Sequence, residues 1–168
     1  MSDPVVRKIV GDWLKQFPQE VQVADLGSYD ITGSIKEVCP RAVGFDLQEG
    51  PGVDVALDSP MIPELYRGKF GIVTGIGSFF LSPTPELFKD YVLQLLTPGG
   101  HLVLSLCDTS WCIHTHKTSP ITENLPRRHW SVDDTATFFA PEFNELNRIP
   151  FSYMKHDQWA LFAQRVVA

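Results

Sequence analysis

The stretch VQVADLGSYDITGS, residues 21–34, decides the fold of this chain. It begins as an apolar run, reaches an acidic residue at Asp25 and turns at Gly27. A second apolar run, AVGFDL at residues 42–47, ends at Asp46, about 20 positions after the first acid. This order of strand, glycine turn and acidic strand end is typical of a βαβ unit that holds a nucleotide, in which the second acid accepts hydrogen bonds from ribose hydroxyls.

The composition is that of one globular domain, which we place at residues 1–168. Of the 168 residues, 43% are hydrophobic and 20% are charged, and the net charge of −6 argues against a broad phosphate-binding surface. No apolar run reaches the roughly 18 residues that a membrane helix needs, and the N-terminal region lacks a signal-peptide core. The three cysteines, Cys39, Cys107 and Cys112, form a sparse, odd set. These features predict a reduced, cytoplasmic protein with no membrane partner.

Helix and strand patterns alternate along the chain. Residues 1–19 predict an N-terminal helix, because apolar side chains recur at helical spacing before Pro18. A short helical piece follows at residues 34–39, Thr84 and Pro85 open a longer helix, and Ser131 with Asp134 resembles a capping box for the last helix. Strands are predicted over residues 21–26, 42–47, 53–57, 70–74, 101–106, 143–149 and 159–166. The alternation predicts a doubly wound α/β sheet covered by helices on both faces.

The glycine turn differs from the dehydrogenase fingerprint. That fingerprint is G-x-G-x-x-G, whereas here five other residues separate Gly27 from Gly33. A glycine directly after the strand still permits a sharp turn and a close approach by a ligand. The carboxylate of Asp25 would repel a pyrophosphate. The stretch therefore favours a cofactor with a positively charged amino-acid end over NAD.

Several later segments agree with this stretch in order and spacing. They are GFDLQEGPGVD at 44–54, LTPGGHLVL at 96–104, RHWSVDD at 128–134, FNEL at 143–146 and WALFA at 159–163. Together with DLGSYDITGS at 25–34 they resemble the class I S-adenosylmethionine-dependent methyltransferases, of the small type 11-like kind. The resemblance covers roughly residues 20–166, and the second glycine of the family's G-x-G core is absent.

The resemblance implies a Rossmann-like fold with a mostly parallel seven-stranded sheet and an antiparallel last hairpin. It implies S-adenosylmethionine as the cofactor, with Asp25 and Gly27 near the methionine end and Asp46 on the ribose hydroxyls. By the same resemblance Leu47 packs on the adenine, Asp58 and Ser59 lie near the adenine amino group, and residues 74–77 lie beneath the sulfonium. The residues implied to bind the cofactor are Asp25, Gly27, Ser28, Tyr29, Gly33, Asp46, Leu47, Asp58, Ser59, Thr74 and Gly75.

Each of these positions also has a purely structural interpretation. Asp46 can be a helix cap or a solvated turn residue, and Asp58 can serve its own turn, since aspartate is common in turns for local reasons. Gly75 and Gly77 can be ordinary turn glycines. The sequence leaves these alternatives open.

The acceptor of the methyl group is less defined by the sequence. Amino-group methylases of DNA, and many of RNA and protein, carry an Asn/Asp-Pro-Pro-aromatic motif after the fourth strand, whereas this chain reads TGIGSFF at residues 74–80. A small-molecule or peptidic acceptor is therefore favoured over nucleic acid. The aromatic residues Phe79, Phe80, Trp111 and Trp130 either line an apolar acceptor pocket or belong to the core.

The segment at residues 107–130 follows the fifth strand, where the resemblance places the acceptor side of the site. Long segments of this kind are usually functional or disordered. Candidate catalytic residues are His114, His116 and His129 as general bases and Asp108 as a residue that orients a base or the acceptor. Each can equally be a surface residue. A general base is optional, because a sulfonium is already a good leaving group and alignment supplies much of the rate.

The same segment contains a candidate metal site and a cluster of basic residues. Cys107, Cys112, His114 and His116 can supply four zinc ligands, but their spacing matches no standard zinc motif, so we expect no metal. Lys117, Arg127 and Arg128 form a basic spot that either attracts an anionic acceptor or is simply a solvated face.

The sequence therefore predicts an enzyme that transfers a methyl group from S-adenosylmethionine to a small-molecule or peptidic acceptor, leaving S-adenosylhomocysteine. Methylation of RNA or another nucleic acid is an alternative. Two further alternatives are an enzyme that cleaves the cofactor without an acceptor, and a non-catalytic binding module on the same fold. We expect a monomer or a homodimer.

Overall fold

The computed structural model describes residues 4–30, 33–82, 84–107, 130–153 and 156–167. Within these residues the chain forms one seven-stranded sheet in the order β3-β2-β1-β4-β5-β7-β6. The strands are β1 Val23–Leu26, β2 Val43–Asp46, β3 Val55–Ala56, β4 Phe70–Ile76, β5 Leu96–Cys107, β6 Phe143–Tyr153 and β7 His156–Arg165. The pairings among β1 to β5 are parallel, and β7 is antiparallel to both β5 and β6. The predicted sheet and its antiparallel last hairpin are confirmed.

Among the described residues, three α-helices cover the two faces of this sheet: α1 Pro4–Leu14, α2 Pro85–Leu95 and α3 Val132–Phe139. On one face Val6, Val10 and Leu14 of α1 pack into a core with sheet residues such as Ile72 and Phe162. On the other face α2 and α3 contribute to a second core, which contains Phe88, Val92, Leu95, Phe139, Phe45, Val73 and Leu104. Helices therefore lie on both faces, as the apolar strands predict. No helix among the described residues is long and apolar enough to cross a membrane.

The direction of the sheet order reverses between β1 and β4. From β1 the chain passes outward to β2 and β3, then returns to place β4 on the other side of β1. Asp25 of β1 is paired with Gly44 of β2 and with Thr74 of β4. Ligands of open α/β sheets bind at the carboxyl ends of the strands, at such a switch point. The fold thus places the acidic end of β1 where a ligand site is expected.

The described part of the connection between β1 and β2 holds less helix than the sequence pattern predicts. The helical piece predicted at residues 34–39 is a single 3-10 turn, Ile35–Glu37, with Ser34 and Glu37 forming its capping box. Two other 3-10 turns occur at Glu64–Tyr66 and Phe79–Leu81. The loops that follow β1 and β2 must therefore hold one another in place without a long helix.

Several boundaries differ from the sequence prediction. Helix α1 ends at Leu14 because the next amides, including that of Phe17, bond three residues back in tight turns. Strand β3 keeps only Val55–Ala56 of the predicted 53–57. Strand β5 begins at Leu96 rather than His101, and residues 98–100, Pro-Gly-Gly, form a bulge inside it, since the pairing register shifts there. The bulge contains Gly99, whose φ is +74°.

Candidate functional site

Asp25 is the most unusual side chain at the carboxyl edge of the sheet. It is 5% exposed, and the hydroxyl of Thr74 donates a hydrogen bond to its Oδ1 at 2.7 Å. Burial raises the pKa of Asp25 to about 6, although the hydrogen bond from Thr74 and the charge of Lys36 oppose this shift. At neutral pH the protein thus holds a largely ionised carboxylate away from water, which is costly unless a cation or donors approach it.

Gly27 turns the chain directly after β1. Its φ is +82°, and a Cβ at this position would lie 2.1 Å from the Cβ of Ser78. Ser78 follows β4 and donates a hydrogen bond from Oγ to the carbonyl of Leu26 at 2.6 Å. Both the left-handed conformation and the close approach of Ser78 therefore require glycine here.

Asp46 is the last residue of β2, and its carboxylate accepts hydrogen bonds from two backbone amides. Tyr29 donates its N–H to Oδ2 at 3.0 Å, and Gln48 donates its N–H to Oδ1 at 3.3 Å. The contact with Gln48 is the local turn bond that the structural interpretation predicts. The contact with Tyr29 crosses from the loop after β1. Because each carboxylate oxygen has two lone pairs, Asp46 retains capacity to accept hydrogen bonds from a diol.

The residues after β2 and β3 lie at the edge of the predicted site. Leu47 is 47% exposed, an apolar side chain left in solvent next to Asp46. Asp58 is exposed. Ser59 serves its own turn, since its Oγ accepts the N–H of Met61 at 3.2 Å and its carbonyl accepts the hydroxyl of Tyr91 at 2.8 Å. The structure therefore gives Ser59 a structural role and leaves Leu47 and Asp58 accessible.

The glycines at the end of β4 have different surroundings. A Cβ on Gly75 would lie 2.8 Å from Cζ of Phe88 and 2.9 Å from Cδ2 of Leu104, so Gly75 makes room for the core on the α2 face. Thr74 faces the other way, toward Asp25. Gly77 has a φ of +71° and donates its N–H to Oγ of Ser105 at 2.8 Å. Of the neighbours Thr74 and Gly75, therefore, Thr74 contacts Asp25. Gly75 leaves space for the side chains of the core.

The remaining predicted cofactor residues belong to the loop after β1. Ser28 is buried, and its N–H shares the carbonyl of Phe45 with Gly27. Tyr29 is half-buried. Gly33 donates its N–H to Oδ1 of Asp30 at 2.6 Å, in a conformation with a φ of +123°. The structure brings Tyr29 of this loop into contact with Asp46, while the binding role of each residue stays a prediction.

The aromatic residues that follow β4 belong to the core. Phe79 and Phe80 are buried, as is Trp130, and the ring of Phe79 lies 5.3 Å from that of Phe88 and 5.4 Å from that of Phe139. Of the two interpretations of these aromatics, the core one holds for these three. Trp111 lies outside the described residues.

The predicted catalytic residues fall in a part of the chain that the structure does not describe. These are Asp108, His114, His116 and His129, and the zinc alternative at Cys112 and the basic residues Lys117, Arg127 and Arg128 lie there too. Among the residues that are described, no group of three or more His, Cys, Asp or Glu side chains is placed to hold a metal ion.

Three polar residues of this region were not anticipated from the sequence. Ser78 and Ser105 hold the turn after β4 through the contacts above. Gln158 of β7 pairs with Cys107 at the end of β5 and is 4% exposed, and its Nε2 has no hydrogen-bond partner among the described residues. No local pattern marks these residues, because the hydrogen bonds of Ser78 and Ser105 and the pairing of Gln158 with Cys107 join segments that are distant in sequence.

Solved structures with the same architecture include several methyltransferases. An S-adenosylmethionine-dependent methyltransferase from Methanosarcina mazei matches with a TM-score of 0.68 over 100% of both chains, at 11% identity. The fold is that of the class I methyltransferases. The N-methyltransferase NodS of Bradyrhizobium japonicum shares this methyltransferase fold with a TM-score of 0.61, over 99% of each chain at 10% identity.

A third methyltransferase with this fold was solved with S-adenosylmethionine bound. It is the magnesium protoporphyrin IX methyltransferase of Synechocystis, with a TM-score of 0.62 over 96% of this chain and 78% of its own, at 15% identity. No family model matches the sequence, and no curated protein matches it significantly. At these low identities the likeness concerns the methyltransferase fold and leaves the reaction and its acceptor to be argued from the site.

Proposed function

We propose that this chain binds S-adenosylmethionine at the carboxyl ends of β1, β2 and β4 and transfers its methyl group to a small-molecule or peptidic acceptor. The observation that carries the proposal is the pair of carboxylates Asp25 and Asp46, on neighbouring strands at the switch point of the sheet. The bound S-adenosylmethionine and S-adenosylhomocysteine in structures of the Synechocystis enzyme support the choice of cofactor.

The surroundings of the two carboxylates fit the two ends of this cofactor. Asp25 is buried and largely ionised at neutral pH, so it attracts a cationic amino-acid end and repels a phosphate. Asp46 accepts two backbone amides and keeps lone pairs for the ribose hydroxyls. The exposed side chain of Leu47 offers an apolar surface to an adenine ring. Along the chain, Asp25, Asp46 and Leu47 thus offer binding groups for a cation, a diol and an aromatic base. The cofactor carries these groups in the same order, as its amino-acid end, its ribose and its adenine.

The chemistry of transfer requires mainly alignment from the protein. When bound, S-adenosylmethionine supplies a methyl carbon that an acceptor lone pair attacks as the carbon–sulfur bond breaks and its electrons return to sulfur. The described residues hold the cofactor, with Thr74 orienting Asp25 and Ser78 fixing the turn at Gly27. Removal of a proton from the acceptor is assigned, as a prediction, to His114, His116 or His129, with Asp108 orienting the base or the acceptor. The acceptor class is supported by the absence of an Asn/Asp-Pro-Pro-aromatic motif after β4.

The proposed cellular location of the enzyme rests on its amino-acid composition. With few cysteines, and with Cys39 buried and unpaired in any disulfide, we place the protein in the reducing cytoplasm as a monomer or homodimer. The net charge of −6 makes a nucleic-acid acceptor the less favoured alternative.

Calorimetric titration with S-adenosylmethionine and S-adenosylhomocysteine tests the proposal. Asp46→Ala should weaken both by at least about tenfold, or 1.4 kcal/mol. Asp12→Ala is the matched control, because Asp12 is an exposed acid on α1 that pairs with Lys8 and Lys15. Thermal unfolding of each variant verifies that it is folded. A folded native protein that binds neither compound would contradict the proposal and favour the non-catalytic binding module.

A second assay separates transfer from cleavage of the cofactor. Release of S-adenosylhomocysteine is measured with panels of small amines, phenols, carboxylic acids and peptides, and with a control that contains no acceptor. Release that depends on one acceptor class supports methyl transfer. Consumption of S-adenosylmethionine at the same rate without any acceptor would instead indicate a cofactor-cleaving enzyme.

A further inference from the structure

We propose that Tyr29 and Gly50 position Asp46 for the cofactor's ribose by locking the loop after β1 onto the loop after β2. We call residues 27–30 together with residues 45–54 the loop clasp. The inference rests on the proposed function, and it gives a positioning role to Tyr29, which is already among the residues implied to bind the cofactor, and to Gly50.

Backbone hydrogen bonds tie the two halves of the loop clasp together. The amides of Gly27 and Ser28 both donate to the carbonyl of Phe45, at 2.7 Å and 3.1 Å. Further along, the amide of Asp30 donates to the carbonyl of Pro51 at 2.8 Å. The first loop is therefore held at both of its ends, with Tyr29 between them.

Tyr29 is held to the second loop on two sides. Its N–H donates to Oδ2 of Asp46 at 3.0 Å. Its ring lies on the backbone of Gly50, where a Cβ would meet Cε2 at 2.3 Å, Cζ at 2.8 Å and Cδ2 at 3.0 Å. Tyr29 thus spans the loop from Asp46 to Gly50, and we expect a displacement of its ring to disturb the amide that holds the carboxylate.

Gly50 is required for space rather than for backbone conformation. It is not among the glycines with a positive φ, unlike Gly52 in the same loop, whose φ is +85°. An alanine can therefore adopt the backbone angles of Gly50, and its methyl group would collide only with the Tyr29 ring. This makes Gly50→Ala a specific probe of the contact between Tyr29 and the second loop.

A lower layer of contacts fixes the rest of the loop clasp independently of Tyr29. Asp54 accepts the N–H of Gly44 at 2.7 Å and pairs with Lys36. A Cβ on Gly44 would lie 2.1 Å from the carbonyl oxygen of Gly52. Because these contacts do not involve the Tyr29 ring, Gly50→Ala should leave the protein folded and disturb the upper contact alone.

The experiment measures binding of S-adenosylhomocysteine and of its 2′-deoxyribose analogue to Gly50→Ala, Tyr29→Ala and the double variant. We expect Gly50→Ala to weaken S-adenosylhomocysteine about tenfold but the analogue much less, since only the first presents both ribose hydroxyls to Asp46. In the Tyr29→Ala background, Gly50→Ala should have no further effect, because the colliding ring is gone. Glu49→Ala, an exposed neighbour in the same loop, is the matched control.

Equal losses for both compounds, or wild-type affinity in Gly50→Ala, would overturn the inference. Hydrogen exchange of the ligand-free protein supplies a readout that does not depend on the cofactor. Gly50→Ala should speed exchange at the Tyr29 amide at least tenfold while the β4 amides stay unchanged. If the wild-type protein binds neither compound, the proposed function fails, and unchanged protection of Tyr29 would then overturn the loop clasp separately.

Discussion

At the scale of single residues, Asp25 shows a conflict between stability and binding. Its pKa rises from 3.8 in the unfolded chain to about 6 in the folded protein because it is buried. The folded state therefore holds the proton more tightly, and the contribution of Asp25 to stability is lost as the pH rises from 3.8 to about 6. At neutral pH the ionised carboxylate costs about 3 kcal/mol. Such a cost is typical of a group retained for a ligand.

Replacing Asp25 with asparagine should therefore stabilise the ligand-free protein. At pH 8 we expect Asp25→Asn to raise the free energy of unfolding by about 1–3 kcal/mol, and at pH 4 to change it little, because Asp25 is then neutral. Urea unfolding at the two pH values measures this. The same variant should bind S-adenosylmethionine at least tenfold more weakly.

Asp12 is the control, because its pKa is shifted in the opposite direction to that of Asp25. Hydrogen bonds from Lys15 and Lys8 lower the pKa of this exposed carboxyl to about 2, so Asp12→Asn should be neutral or destabilising at pH 8. If Asp25→Asn instead destabilises the protein more at pH 8 than at pH 4, its carboxylate is already stabilised in the absence of a ligand.

At the scale of elements, helices α2 and α3 begin with two different caps. Ser131 accepts the N–H of Asp134 at 3.0 Å, as the sequence pattern predicts, but it is the Ser131 hydroxyl, rather than the backbone amide of a capping box, that donates to Oδ2 of Asp134, at 2.7 Å. Thr84 occupies the corresponding position before Pro85, but its side chain makes no capping hydrogen bond. The predicted cap position is right in both helices, whereas the predicted side-chain bond forms only in α3.

Alanine substitutions at the two caps should differ accordingly. Ser131→Ala loses the bond to the Asp134 amide and should lower the free energy of unfolding by about 1 kcal/mol. Thr84→Ala, as the matched control, should change it by no more than a few tenths of a kcal/mol. Chemical denaturation of both variants measures the difference, and equal effects would show that the α3 cap contributes nothing beyond helix propensity.

At the scale of the whole molecule, stability is concentrated in the middle of the sheet. Strands β4 and β5 have strand neighbours on both sides, and their residues enter the cores on both faces. Strand β3 lies at an edge, has two residues and is partly exposed. Because local opening follows burial and pairing, the two regions should open with different free energies.

Native-state hydrogen exchange should resolve this gradient. We expect the slowest amides in residues 72–76 and 102–106, and exchange at least a hundredfold faster at Val55 and Ala56. Saturating S-adenosylhomocysteine should slow the amides of residues 27–30 and 46–48, which surround the proposed site, more than those of the far edge strand β6. Protection of β3 equal to that of β4 would contradict the gradient.

The sequence by itself determined the features that depend on near neighbours. Apolar runs define strands, Ser131 and Asp134 define a cap within one turn, and acids at the ends of such runs are recognisable as Asp25 and Asp46. The family resemblance added the parallel sheet and its antiparallel last hairpin. These features follow from side-chain periodicity and local backbone bonding, which operate over a few residues.

Only the tertiary structure decided which distant residues meet. Ser78 packs closely against Gly27, Phe88 packs against Gly75, and the ring of Tyr29 packs against Gly50. Burial of Asp25, and hence its raised pKa, depends on the register that sets it between β2 and β4. These contacts join residues that are 13 to 51 positions apart, and they depend on strand register and packing, which a local pattern does not encode.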